Sequence, residues 1–255
     1  METVVPQSVI YDKISEQCGD KMCDGLVLKV PHQQQVANWD CGVVCLEMVA
    51  AFRNFPENAV KLAIEKHNMD HSVWTIDLAY LCMLLEIRHE MFTLLTEVNE
   101  SFVNEPFYAN QANFDAETDR ANRLFAMVCE NNVLVEKRKI TLESIISHII
   151  LHTQPVIVLI DSAKLQTIQE DFLVENMKSL NIGEDQNDKQ QERHSNYCGH
   201  FILVLGFDLK NQQIFYHDPS AKDGYSVCSL KSFEDAWRSF GTDEDILFTF
   251  PPSQT

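Results

Sequence analysis

The sequence predicts an α+β fold in which a helical first half packs on an antiparallel sheet formed by the second half. Apolar residues recur at helical spacing in the segments before residue 152, whereas the later segments are short, continuous apolar runs of strand length. Helices and strands are therefore segregated along the chain, which is typical of the α+β class. Hydrophobic residues make up 45% of the 255 residues, enough for the core of one large domain.

The helices of the first half have start and stop signals as well as periodicity. Asp40 is the predicted cap of the first helix, which ends near Asn54 before Pro56. Thr141 is the predicted cap of the last helix in this half, which ends at His152. The predicted helices cover residues 41–54, 57–67, 75–88, 115–130 and 141–152, with extended segments over 91–98 and 133–135.

The second half has the pattern of strands joined by turns. The predicted strands cover residues 155–160, 201–205, 214–216, 225–230 and 246–250, with one helix over 232–240 that ends at Gly241. The turn at 208–211 joins the second and third of these strands, and their pairing as a hairpin is expected. We expect an extension over residues 1–29 and a single domain over 30–255. Residues 181–196 are strongly polar and predict a mobile acidic insertion.

The charge balance excludes several classes of partner. The chain has 20 Lys and Arg against 38 Asp and Glu, a formal net charge of −18, which repels the phosphates of nucleic acids and anionic membrane surfaces. The longest uncharged apolar stretch, residues 144–160, is interrupted by His, Gln and Pro, so we expect no membrane span. Eight cysteines without a secretion signal predict free thiols in the cytoplasm, with the nucleus as an open alternative.

The densest chemical signal is the segment from Gln35 to Gly42. Cys41 is predicted at the start of the first helix, where unpaired backbone N–H groups and the positive end of the helix dipole stabilise a thiolate. Gly42 allows a close approach of backbone to a ligand. Gln35 precedes Cys41 by six residues, so its side-chain amide is able to fold back and face the sulfur as an oxyanion donor. A capped core helix with a buried cysteine explains the same pattern.

Two later features support a catalytic interpretation of this helix. His200 opens a strongly apolar strand, and Asp218 follows the next strand, which Pro219 ends. If the two strands form a hairpin, the carboxylate of Asp218 is able to orient the imidazole of His200. Taken alone, a strand histidine is more often structural, so their order after Cys41 is what carries the hypothesis.

These motifs resemble two groups of known proteins. Gln35, Cys41-Gly42, Gly199-His200 and Asp218-Pro219 resemble papain-like cysteine peptidases, and more closely the double-glycine leader peptidases. Over nearly the whole chain, the sequence resembles the guanylyl cyclase domain-containing family, which has plant guanylyl cyclase-like members. The segments that carry this second resemblance are residues 30–32, 38–42, 74–81 and 239–245.

The peptidase resemblance implies a papain-like fold and four roles. Cys41 is the implied nucleophile, His200 the general base, Asp218 the orienting carboxylate and Gln35 the oxyanion donor. The leading hypothesis is therefore a thiol hydrolase acting on a peptide or isopeptide bond, with a peptide or protein substrate and no cofactor. The alternatives are a guanylyl cyclase that forms cyclic GMP from GTP, as the family name implies, and a non-catalytic interaction protein on a peptidase fold. The oligomeric state stays open.

Metal chemistry is a weaker hypothesis. The spacings of Cys18 with Cys23 and of Cys41 with Cys45 fall within loose zinc limits, but no two matched Cys-x2-Cys motifs occur. Carboxylates such as Asp243 and Asp245 suit Mg²⁺, although a solvated turn explains them equally well. We therefore expect no metal site.

Overall fold

The computed structural model describes residues 7–69, 72–98, 114–168, 197–222 and 224–252. Its helices are α1 (Gln7–Cys18), α2 (Cys41–Phe52), α3 (Ala59–His67), α4 (Thr75–Leu84), α5 (Phe114–Ala126), α6 (Leu142–His152) and α7 (Leu230–Trp237). Its strands are β1 (Gly25–Val27), β2 (His89–Thr93), β3 (Val135–Lys137), β4 (Val156–Asp161), β5 (Gly199–Asp208), β6 (Gln213–His217), β7 (Ser226–Ser229) and β8 (Ile246–Thr249).

The strands form one mixed sheet in the order β3-β2-β8-β4-β5-β6-β7, and β1 also pairs with β5. The pairing of β2 with β3 is parallel, and the other pairings are antiparallel. The α+β class is confirmed. The prediction of a purely antiparallel sheet built by the second half is wrong, because β1, β2 and β3 come from the first half and complete the sheet.

Strand β5 is the centre of the fold, and residues 201–207 of it are all buried. The predicted hairpin is confirmed, since β5 pairs antiparallel with β6. On its other edge, β5 pairs first with β4 and then with β1. Gly206 makes the second pairing possible, because a Cβ atom at this position would lie 2.0 Å from the carbonyl oxygen of Leu26 on β1.

Helix α2 is buried on all sides and its start lies against β5. Nine of its residues are buried, from Cys41 to Leu46 and from Met48 to Ala50. A Cβ atom on Gly42 would lie 2.9 Å from the ring of Phe201. The absence of a side chain at residue 42 therefore allows the first turn of α2 to reach the first residues of β5.

Several boundaries of helices and strands differ from the predicted ones. Helix α4 ends at Leu84 rather than residue 88, because Glu86 has a φ of 57° and the N–H of Ile87 turns back to the carbonyl of Cys82. The strand predicted over 133–135 lies at Val135–Lys137 instead. The side chain of Thr141 accepts the N–H of Ser144, which confirms the predicted cap of α6.

The N-terminal segment contacts the rest of the fold. Ile14 on α1 is fully buried, and Lys13 forms an ion pair with Glu143 on α6 at 3.3 Å. The division of the chain at residue 29 stays a prediction. The acidic insertion predicted over 181–196 lies outside the described residues. No helix in the described ranges combines the length and apolar character that crossing a bilayer requires.

Candidate functional site

The start of α2 presents Cys41 at a helix N-terminus. Cys41 is the first helical residue and is 8% exposed. Asp40 occupies the N-cap position as predicted, but its carboxylate makes no capping hydrogen bond. It accepts instead the N–H groups of Val36 at 3.3 Å and Ala37 at 3.1 Å, closing the turn before the helix. The first amides of α2 are therefore not capped by Asp40, and the positive end of the helix dipole lies at Cys41.

The hairpin of β5 and β6 brings the predicted histidine and aspartate together. His200 is the second residue of β5, where it pairs with Ile160 of β4, and Asp218 follows the last residue of β6. Nε2 of His200 lies 2.8 Å from Oδ1 of Asp218. The same Oδ1 accepts the backbone N–H of Ser220 at 2.8 Å and its hydroxyl at 2.7 Å. The carboxylate is thus held by three donors in one orientation.

Electrostatics at this pair favour the charged forms. Burial lowers the pKa of His200, but hydrogen bonds and charge interactions with Asp218 and Cys41 outweigh it and raise this pKa to about 10. Burial raises the pKa of Asp218, but its interactions with His200 and Ser220 lower it below its usual value overall. His200 is therefore an imidazolium at neutral pH, positioned between a carboxylate and the thiol of Cys41.

Two further histidines support the site, and sequence reasoning gave neither a role. Nε2 of His32 lies 3.1 Å from the carbonyl oxygen of Asp218. The ring nitrogens of His217 lie 2.9 Å from the carbonyl oxygen of Val30 and 3.0 Å from that of Gly224. The two rings meet edge to face at 4.9 Å between centroids. His32 belongs to residues 30–32, one of the segments that carry the family resemblance, and this was the available signal.

Gln35 lies beside the aspartate. Its backbone N–H donates to the carbonyl of Pro219 at 2.8 Å, which places it next to Asp218. Its side-chain N–H donates to the carbonyl of Ala37 at 2.8 Å, within its own turn. Its Oε1 is buried and has no hydrogen-bond partner among the described residues. The role of Gln35 as an oxyanion donor to Cys41 stays a prediction.

The carboxylates and cysteines considered as metal ligands belong to no group of three or more potential ligands in the described ranges. Asp243 and Asp245 lie in the turn before β8, where burial raises the pKa of Asp243 to about 6 and that of Asp245 to about 7.

Fold and site together define an α+β protein with a Cys–His–Asp cluster between a helix start and the end of a β-hairpin. A sequence model of the family described as guanylylate cyclase matches residues 30–249, a range that contains every residue of this cluster. The chain belongs to this family. It is also similar to guanylyl cyclase 1 of Arabidopsis thaliana, with 29% identity over 221 residues, covering 86% of this chain and 75% of the plant protein.

These comparisons correct the leading functional prediction. The four motifs around Cys41, His200 and Asp218 predicted a papain-like thiol hydrolase, and that prediction is wrong, because the family and the named relative point to a guanylyl cyclase-like function. The error came from assigning function by short motifs that unrelated chemistries share. The geometric expectation that His200 and Asp218 lie together is a separate matter and agrees with the structure.

Proposed function

We propose that this chain is a guanylyl cyclase, which forms cyclic GMP from GTP. The observation that carries the proposal is the family match over residues 30–249. The similarity to a plant protein named guanylyl cyclase 1 supports it. In this reaction the ribose 3′-oxygen attacks the α-phosphorus, a new O–P bond forms, the bond to pyrophosphate breaks, and the proton of the 3′-hydroxyl passes to water. Negative charge develops on the leaving pyrophosphate, so cationic groups and N–H donors promote the step.

The neighbourhood of Cys41 supports binding of the phosphates at this site. The first amides of α2 lack a side-chain cap from Asp40, and an uncapped helix start attracts anions. His200 adds a positive charge at neutral pH, since its pKa is about 10. Both features are needed because the formal charge of −18 opposes a polyanion over most of the surface. We assign the phosphate contacts to His200 and the first turn of α2, with Asp218 as the residue that orients His200.

The remaining expectations belong to the same proposal. We propose Cys41 and Gln35 as further members of the site, a papain-like arrangement of α2 against β5 and β6, and a single domain over residues 30–255. The position of a cysteine at a helix start, with histidine on β5 and aspartate directly after β6, supports this arrangement. The location is proposed as the cytoplasm, with the nucleus as an alternative, because eight free cysteines suit a reducing compartment.

The test is direct detection of product. The purified full chain is incubated with GTP and Mg²⁺ or Mn²⁺, and cyclic GMP is identified by liquid chromatography and mass spectrometry. We expect product with the wild-type chain and a loss of about a hundredfold with His200→Gln, because one charge-stabilising donor is removed. His152→Gln is the matched control, since His152 lies at the end of α6 and is also partly buried. Absence of cyclic GMP with either metal, in a folded preparation, overturns the proposal.

A further inference from the structure

The eight cysteines of this chain occupy very different surroundings, although all are free thiols. Cys45, Cys82 and Cys228 are fully buried, and burial raises the pKa of each, to about 12 for Cys82 and Cys228. These three thiols stay protonated at neutral pH and are poor nucleophiles. Cys129 and Cys198 are exposed to solvent. Cys18 and Cys23 are buried and partly buried, and Cys41 is buried with 8% of its surface exposed.

Cys41 lies at a helix start and beside a histidine held by a carboxylate, which are surroundings typical of reactive cysteines. It lies at the positive end of the twelve-residue helix α2, whose first turn Asp40 does not cap. Its thiol interacts with the ring of His200, and that ring is held from its other side by Asp218 at 2.8 Å. An imidazolium oriented towards a thiol at a helix start stabilises the negative sulfur. Cys45, one turn further along the same helix, has none of these contacts with His200 among the interactions described.

We propose that Cys41 is a peroxide-reactive thiol, with His200 as the proton donor to the leaving group. The Cys41 thiolate attacks one oxygen of hydrogen peroxide, an S–O bond forms, and the O–O bond breaks. The departing hydroxide takes the proton of the His200 imidazolium and leaves as water. The products are a sulfenic acid at Cys41, a neutral His200 and water, and the oxidant is the peroxide itself.

Access to the site favours a small oxidant over a large one. Cys41 is only 8% exposed, and the side chains of His200 and Asp218 are 14% and 23% exposed. The modification is independent of the proposed cyclase reaction, because it needs no nucleotide, and the two proposals therefore fail separately.

The test traps sulfenic acid on the reduced full chain without nucleotide. Hydrogen peroxide is added to the folded chain and removed with catalase. The chain is then unfolded in dimedone, a 1,3-dione that captures sulfenic acids, and each adduct is located by digestion and mass spectrometry. We expect adduct at Cys41 to form at least about tenfold faster than at the exposed Cys198 and Cys129. His200→Gln is expected to remove this advantage and Asp218→Asn to reduce it, whereas His152→Gln leaves it unchanged. Circular dichroism and melting temperatures establish that each variant is folded.

A second measurement uses the wild-type chain alone and needs no variant to fold. The trapping rate at Cys41 is compared with that at Cys198 between pH 6 and pH 8. Because Cys198 lacks the helix start and the contact with His200, we expect the rate at Cys41 to exceed that at Cys198 by about tenfold at each pH. Trapping at Cys41 that is no faster than at Cys198, or that persists undiminished in folded His200→Gln, overturns the proposal.

Discussion

His200 and Asp218 are 18 residues apart in sequence, and Nε2 of the first lies 2.8 Å from Oδ1 of the second. The pairing of β5 with β6 produces this contact, because Leu203 pairs with His217 and so places the start of one strand near the end of the other. Ser220 donates two hydrogen bonds to the same carboxylate oxygen. The charge of His200 therefore depends on the pairing of this hairpin and on the hydrogen bonds of Ser220.

The first prediction concerns the proton on His200. Its pKa of about 10 lies above the ordinary value of 6.5, so the ring stays an imidazolium through pH 8. Burial lowers the pKa of His152, so that ring loses its proton below pH 6.5. An NMR titration of the histidine ring signals measures both in one sample. Asp218→Asn is expected to lower the pKa of His200 and to leave that of His152 unchanged. A wild-type His200 that titrates near 6.5 contradicts the assigned ion pair.

The second prediction concerns Asp245, a buried carboxyl in the turn before β8, where hydrogen bonds with Thr75 and Thr93 offset only part of the effect of burial. Burial and the nearby Asp243 raise its pKa from 3.8 to about 7, so the folded state holds this proton more tightly than the unfolded state. The resulting stabilisation is present below pH 3.8 and is lost as the pH rises through about 7. The melting temperature of Asp245→Asn relative to that of the wild type should therefore rise as the pH is increased from 5 to 8.

Melting curves across this pH range, with the exposed Asp235→Asn as a control for the substitution itself, measure the effect. A gap between Asp245→Asn and wild type that stays constant or shrinks with rising pH contradicts the raised pKa of Asp245.

The third prediction concerns the buried ion pair of Asp77 and Arg120, which joins the start of α4 to α5. Asp77 is fully buried, and both terminal nitrogens of Arg120 contact its carboxylate. Arg120→Ala leaves a buried carboxylate with only His67 as a side-chain partner, at a cost of about 3 kcal/mol in unfolding free energy. Urea denaturation measures this cost. Arg123→Ala, on the exposed face of the same helix, is the control, and an equal loss in both variants contradicts a special role for the pair.

The fourth prediction concerns the close approach of β1 to β5. A methyl group at Gly206 overlaps the carbonyl oxygen of Leu26, so Gly206→Ala should displace β1 and cost about 1–3 kcal/mol. Hydrogen exchange provides a local readout, because the N–H of Leu28 donates to the carbonyl of Leu205 and should lose protection. Gly25→Ala, where the closest atom would lie at 3.3 Å, is the milder control. Unchanged protection at Leu28 in Gly206→Ala would show that the strands adjust without separating.

Sequence patterns were informative wherever a local signal determined the structure. The cap at Thr141, the apolar run of β5 and the turn before β6 each depend on neighbouring residues, and each was predicted correctly. The proximity of His200 and Asp218 followed from the hairpin, so it could also be predicted from the sequence. The α+β class could be predicted because helical periodicity is confined to the earlier segments and strand-length apolar runs to the later ones.

The pairing of strands that are far apart in the sequence could not be predicted from local patterns. Strands β1, β2 and β3 are three to five residues long, and nothing in so short a segment indicates which distant strand it will join. His32 reaches Asp218 across 186 residues of sequence, a contact that no local pattern encodes. The functional error had a different origin. The same arrangement of cysteine, histidine and aspartate is compatible with more than one reaction, so the arrangement alone does not identify the activity.

Strand β8, the last strand that the structure describes, lies between β2 and β4. During synthesis on the ribosome, the β2–β3 pair and the strands from β4 to β7 are therefore made before the segment that joins them. Each of these two groups has an open edge until residues 246–249 emerge, and open strand edges are the surfaces through which partly made chains aggregate. A nonsense mutation late in the gene, sparing Cys41, His200 and Asp218, would still leave a divided sheet for the quality-control machinery to remove.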